Sequence, residues 1–187
     1  YTIDRAVFDG ELADMAREAG AEILVNTSCL SRSDAGVLLK SGGEKIAATA
    51  RVIIGADGPK STVGGWMGSV NEDFITGLQY TLPLTEPLQS TEVYFRKELF
   101  GGYGWLFPKG GVANVGIGVK RSPGAGAGES PQMLLDAFAK DLEMAGKVRN
   151  EPLSVTGGLI PVGGPLDSVK GDMMLVGDAA GQTDAIT

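Results

Sequence analysis

The chain has 187 residues, 29 of them glycine, with one cysteine, no histidine and a net charge of −7. One cysteine excludes an internal disulfide framework, and the lack of histidine removes both a His/Cys zinc ligand set and the base of a Ser-His-Asp or Cys-His nucleophile. The acidic balance, with no basic run, argues against nucleic acid as a partner, and no apolar stretch reaches the roughly 20 residues of a membrane-spanning helix.

Residues 4–19 predict a helix. Asp4 can cap it, Phe8, Leu12, Met15, Ala16 and Ala19 share one face, and Gly20 stops it. Residues 21–25 are a short apolar run of strand length. Cys29, in the segment VNTSCLS, is expected as a buried, inert thiol on a strand or its edge. Residues 37–40 and 45–48 flank Ser41, Gly42 and Gly43 and predict a hairpin. Residues 51–55 (RVIIG) predict a buried strand, and residues 61–67 the opening of a helix, with Trp66 and Met67 packed in a domain seam.

From about residue 70 the character changes. Residues 75–82, 91–96, 103–108 and 112–119 predict an antiparallel meander, followed by a flexible Gly/Ala/Ser-rich loop over 122–130. Ser130 and Pro131 begin a second helix with Leu134, Leu135, Phe138 and Leu142 as its apolar face. Residues 155–161 predict a strand, 163–165 a turn, and 173–176 a short buried strand that runs into a helix at Gly177 and Asp178. The fold class is α/β (α+β), a parallel unit interrupted by a mostly antiparallel sheet. Residues 1–69 and 163–187 form one domain in this reading, and 70–162 the other. The start lacks an initiator Met and an export signal, so the chain is expected to be a piece of a longer, cytoplasmic protein.

Three segments can carry chemistry. In IIGADGPKS a strand ends at a turn bearing Asp57 and Gly58, where ligands of open α/β sheets bind; an ordinary strand-turn-helix is equally consistent. In MMLVGDAAGQ a strand meets Gly177 and Asp178, and the small residues through Gly181 leave room above a helix start; Asp178 can accept from sugar hydroxyls or act as a plain cap. In YGWLFPKGGVANVGIG, Tyr103, Trp105 and Phe107 alternate on one strand face, with Gly116 and Gly118 opposite. They either bound a slot for a flat or elongated apolar ligand or pack as an ordinary sheet. If the slot is real, Gly118→Leu is expected to block it. Arg5, against the dipole at a helix start, either reaches for a ligand or carboxylate or is simply exposed.

The ordered segments RAVFDGELADMAREAGAE, IIGADGPKS and LVGDAAGQ resemble the flavoprotein fold of the aromatic hydroxylases. The aromatic–Phe-Pro–Gly-x-Gly segment is similar to the signature of the geranylgeranyl reductase family, as is GGLIPVGGPL. That resemblance implies a Rossmann-like FAD domain with an inserted substrate sheet. It implies that Arg5, Asp57, Gly58, Gly177, Asp178 and Gly181 serve FAD, and that Tyr103, Trp105, Phe107, Pro108, Gly116 and Gly118 line the path of an isoprenoid chain. It also implies a lipid substrate met at a membrane surface, NADPH or ferredoxin as electron donor, and a flavin that carries the hydride step. No catalytic residue is assigned; Tyr103 is read as a wall rather than a proton donor. The G-x-G-x-x-G loop that would hold the pyrophosphate is not among the 187 residues. The alternatives are a flavin monooxygenase or halogenase of the same fold, and a non-catalytic ligand-binding fragment.

Overall fold

The computed structural model describes residues 3–120 and 130–183. Most of the predicted Gly/Ala/Ser-rich loop, 122–129, and residues 184–187 at the end of the last predicted helix lie outside the described residues. The described residues fold as two compact units, 3–70 with 166–180, and 71–165 with 181–183.

The first unit opens with α1 (Arg5–Glu18), whose N-cap Asp4 accepts from the amides of Ala6 and Val7 at 3.0 and 3.5 Å. Gly20 stops the helix at φ +95°, and the amide of Ala21 closes the last turn on the carbonyl of Ala16 at 2.9 Å. No residue of α1 is buried, so the predicted apolar face of Phe8, Leu12 and Met15 stands exposed. Residues 21–25 do not form the predicted strand. Ile23, Leu24 and Val25 are exposed, and an apolar run becomes a strand only where a neighbour pairs its amides and carbonyls. Pairing begins at Thr27 instead. β1 (Thr27–Ser33), β2 (Gly36–Ser41) and β3 (Glu44–Thr49) form an antiparallel sheet in that order. Gly42 and Gly43, at φ +56° and +93°, make the two-residue turn that joins β2 to β3. Cys29 on β1 is exposed rather than buried, since β1 has a partner on one edge only and most of its residues face solvent.

In the second sheet of this unit, β4 (Ile53–Gly55) lies parallel to β11 (Met173–Leu175), and β10 (Val169–Lys170) pairs antiparallel with β11. α2 (Thr62–Met67) packs on it. The core joins Ile53, Val63, Met67, Met173, Leu175, Ala179 and Ala180, with Trp66 against it. Met67 and Trp66 thus pack in this unit's own core. The chain brings β4 and β11 together from 118 residues apart, as an α/β sheet with an insertion requires.

The second unit is one antiparallel sheet backed by a helix. Its strands are β5 (Phe74–Pro83), β6 (Glu92–Tyr94), β7 (Gly104–Lys109), β8 (Val112–Lys120) and β9 (Ser154–Pro161), in the order β6-β7-β8-β5-β9. α3 (Pro131–Met144) is capped by Ser130, whose hydroxyl accepts from the Met133 amide at 3.2 Å. Alternation sends Tyr80, Leu82, Leu106, Ala113, Val115 and Ile117 to one face of the sheet, where they meet Leu135, Phe138, Ala139 and Leu142 of α3. Leu134, predicted in the helix face, packs only at the margin.

At the β6 edge, Lys147 reaches the Glu92 carboxylate at 2.5 Å, and the Tyr94 hydroxyl donates to the same carboxylate. The bond from Lys147, then that from Tyr94, holds the Glu92 carboxyl below its ordinary value near 4.5. A lowered folded-state value means that the stabilisation is complete above the unfolded value and is lost as pH falls through the folded one. Urea unfolding of the wild type is therefore expected to weaken in the acid range below about pH 4.5 in part through Glu92. Glu92→Gln should cost about 1 kcal/mol at pH 7 and flatten that acid dependence. An unchanged acid slope would remove Glu92 from the account.

Candidate functional site

In the first unit, the parallel pairing puts Leu175 beside Gly55 and ties the Val176 amide to the Gly55 carbonyl at 3.0 Å. The turn bearing Asp57 and Gly58 and the turn bearing Gly177 and Asp178 therefore leave from the carboxyl ends of neighbouring parallel strands, the common ligand position of such sheets. Gly58 and Gly177 lie at φ +82° and +58°, and a side chain at either would meet no atom within 4 Å, so a ligand can approach the backbone at both. The predicted helix at Gly177 is, within the described residues, a single 3-10 turn, Gly177–Ala180.

Asp57 is engaged in structure. Its carboxylate accepts from the Ser61 hydroxyl at 2.5 Å and from the Thr62 amide at 2.7 Å, while Ser61 accepts from the Gly64 amide at 2.8 Å. Together these satisfy the free amides at the start of α2. Asp57→Ala is expected to cost about 1–2 kcal/mol in unfolding of the first unit, with Asp57→Asn recovering part of it; an unchanged midpoint for Asp57→Ala would show that the cap is redundant with Ser61. Around this turn a cavity of about 480 Å³ is lined by Cys29, Val37, Val52, Ile54 and Val63, with Asp57 among its lining residues. Partial burial, then the Asp57 carboxylate, pushes the Cys29 thiol above its ordinary value, which keeps it inert although exposed.

Among the described residues, Arg5 is paired within its own helix rather than at the strand ends. Its guanidinium forks onto Asp9 of its own helix, at 3.1 and 3.0 Å, and both side chains are exposed. Gly181 belongs to the second unit and is there for close approach: a Cβ would stand 2.4 Å from the Gly164 carbonyl oxygen and 2.9 Å from Asn71 Oδ1. It is buried between backbone segments rather than open above a helix start.

In the second unit, the face of the sheet opposite α3 carries the aromatic segment. Tyr103, Trp105 and Phe107 form a ladder with ring centroids 5.9 and 6.2 Å apart, extended by Phe95 at 6.1 Å from Tyr103. Pro108 falls on the other face by strand alternation, so it does not line this one. The slot expected over Gly116 is filled. The Trp105 indole lies across Gly116, where a Cβ would be 2.3 Å from its ring, and its N–H donates to Gln79 Oε1 at 3.2 Å. Gly118 is closed in by Ile75 and Trp105, at 3.2 and 3.8 Å from a Cβ built there.

The open space lies one strand further on. Register aligns Gly118 with Gly77 and Gly77 with Gly158, and, one pair along on the same face, Trp105 with Gly116, Gly116 with Gln79, and Gln79 with Thr156. This makes a shallow trough of about 270 Å³ across β5 and β9. Gly77 and Gly158 are its floor, Trp105, Gln79 and Thr156 one side, and Ile160 the other. A Cβ on Gly77 would touch Ile160 at 3.2 Å, whereas one on Gly158 would meet nothing. Sequence reading missed Gln79, Gly77, Gly158 and Ile160. The signal was present in TGLQY and TGGLI, glycine interrupting strands, but only the register aligns the two.

Residues 73–160, which span nearly all of this sheet, match the geranylgeranyl reductase catalytic domain. The full chain is 35% identical to a digeranylgeranylglycerophospholipid reductase of Methanocella arvoryzae and 37% identical to that of Methanosarcina mazei, covering 50% and 48% of those proteins. It thus spans about half the length of the curated relatives it matches. A crystal structure of a geranylgeranyl bacteriochlorophyll reductase-like protein from Thermoplasma acidophilum superposes with a TM-score of 0.85 at 31% identity, over 98% of this chain and 49% of that one. The flavin-dependent halogenase CmlS shares the fold at a TM-score of 0.73 and 22% identity. In sequence, in the catalytic-domain match over residues 73–160 and in fold, the chain is similar to the geranylgeranyl reductases.

Proposed function

We propose that the chain is part of an FAD-dependent reductase that saturates C=C bonds in geranylgeranyl chains of an isoprenoid lipid. The observation that carries this reading is the open, aromatic-walled trough on the sheet formed by residues 73–160. A bound flavin would supply the hydride; the residues of this chain hold and shield the reactants. In this reading residues 1–69 and 163–187 belong to the cofactor domain and 70–162 to the substrate domain. Backbone at Gly58 and Gly177, and the Asp178 carboxylate, would receive the hydroxylated part of the cofactor. The open backbone at these strand ends fits that part of FAD; a phosphate-binding G-x-G-x-x-G loop would have to come from elsewhere in the parent protein. Asp57 would act indirectly, by fixing the turn that carries Gly58. Tyr103, Trp105 and Phe107 would wall the chain and exclude water, which a weakly polar alkene needs while a proton is delivered.

No helix among the described residues is long and apolar enough to cross a membrane. In this reading a lipid substrate is met at a membrane surface. The test is turnover by the parent protein with chemically reduced FAD and a geranylgeranyl glycerolipid. The expected product is heavier by one H₂ per reduced bond. Parallel reactions with NADPH and with reduced ferredoxin identify the donor. Oxygen-dependent hydroxylation or halogenation with no alkene reduction would overturn the proposal.

A further inference from the structure

Trp105 reaches further across the sheet than its position on β7 requires. The indole passes over the whole width of β8 at Gly116 and ends on Gln79 of β5, two strands away. Phe107 and Tyr103 flank it along its own strand, with ring centroids 6.2 and 5.9 Å away. Further across the sheet the floor is glycine backbone at Gly77 and Gly158, bordered by Ile160. The bond to Gln79 is the contact that ties the far end of the ring.

We infer that Gln79 is a positioning residue: through the indole N–H it holds Trp105 flat over Gly116, and so keeps the glycine floor open to an alkyl chain. The inference rests on reading this face as the substrate surface. Gln79 does not act on the reacting carbons. It sets where the end wall of the trough stands. An amide suits this task, because a carbonyl oxygen accepts from the indole without bringing a charge beside an apolar chain. An extended isoprene repeat, four chain carbons long, advances by about the spacing of neighbouring strands, roughly 4.8 Å. A floor of two aligned glycines therefore offers one side-chain-free step to each of two successive methyl branches, provided the indole stays off it.

The experiment uses the full chain with Trp66→Phe, which leaves Trp105 as the single tryptophan. Acrylamide quenching reports on the indole, and calorimetry reports on binding of geranylgeraniol. Gln79→Met, of similar length with no acceptor, is expected to raise quenching of Trp105 and to weaken geranylgeraniol roughly fivefold. Gln79→Glu, which keeps an oxygen at the same reach, should bring quenching back toward wild type. In a Trp105→Phe background, Gln79→Met should leave binding unchanged, because the group it acts through is gone. Unaltered quenching in Gln79→Met, or the same fivefold loss without the indole, overturns the inference. Gln79→Thr, too short to reach the ring and well suited to a strand, replaces the Met variant should that one not fold. Lack of geranylgeraniol binding by the unsubstituted chain would instead count against the substrate reading, while the quenching series still judges Gln79.

Discussion

Gly158→Leu is expected to abolish binding of a geranylgeranyl chain while leaving the fold intact or slightly more stable. Gly158 sits mid-strand in β9, and its φ is outside the left-handed region that would exclude a side chain. A Cβ there meets no protein atom within 4 Å, so the leucine enters the trough rather than the core. Replacing a mid-strand glycine by a residue with a side chain should add about 0.5–1 kcal/mol to stability. The same side chain takes much of the roughly 270 Å³ that the alkyl chain would use. Loss of that contact and the resulting overlap should lower kcat/KM for geranylgeranyl lipid by about 100-fold or more in the parent protein, with Gly158→Ala intermediate. Gly157→Ala is the control. Its Cβ points to the other face and would stand 2.8 Å from Leu78 Cδ1, so it should lose stability without selective loss of chain binding. Full activity in Gly158→Leu would mean that the chain runs elsewhere on the sheet. The sequence alone pointed to Gly118→Leu for this purpose. In the structure that substitution is a poor probe, because Gly118 is buried under Ile75 and Trp105 and a leucine there would break the packing.

Gly118 and Gly158 differ in their cross-strand neighbours, which the residues alone do not reveal. Local patterns were legible. Ser130 and Pro131 announced α3, Gly42 and Gly43 their hairpin turn, and the alternation of Tyr103, Trp105 and Phe107 a strand face. The Asp57-Gly58 and Gly177-Asp178 turns were legible too, each after a short apolar strand, and the parallel pairing of β4 and β11 brings them to one sheet end. What failed depended on partners distant in sequence. Residues 21–25 have strand composition and no strand beside them. Cys29 reads as interior, yet its strand faces solvent. Gly116 and Gly118 were visible as bare positions, but whether bareness leaves a hole or is filled depends on where the Trp105 ring falls, and that is fixed by Gln79 on a strand 26 residues away. Asp57 was read toward a ligand; the nearer amides of α2 take its oxygens first.

Phe138→Ala should be the most damaging single truncation in the second unit, at about 3–5 kcal/mol. The ring is 2% exposed and lies in the centre of the α3–sheet core. It is packed against a strand position with no side chain: a Cβ on Gly104 would stand 2.9 and 3.0 Å from Phe138 Cζ and Cε1. Tyr94 meets its ring edge-on at 5.1 Å, and the Arg96 guanidinium lies over it at 4.9 Å. When the ring is removed, Gly104 has nothing to move into the space, so collapse is poor and the cost falls toward the upper end of that range. The pairing predicts its own partial rescue. Gly104→Ala alone is expected to destabilise by about 1–3 kcal/mol through overpacking, but in the Phe138→Ala background its methyl enters the vacated volume and should be neutral or stabilising. Urea unfolding of the four chains measures this, and strictly additive effects would show that the ring and Gly104 do not share one space. Gly104 directly precedes Trp105 in β7, so its position from behind also sets where the indole stands in front. The double variant should therefore regain both stability and the low acrylamide quenching of Trp105. Stability regained without the quenching would separate the core from the face it supports.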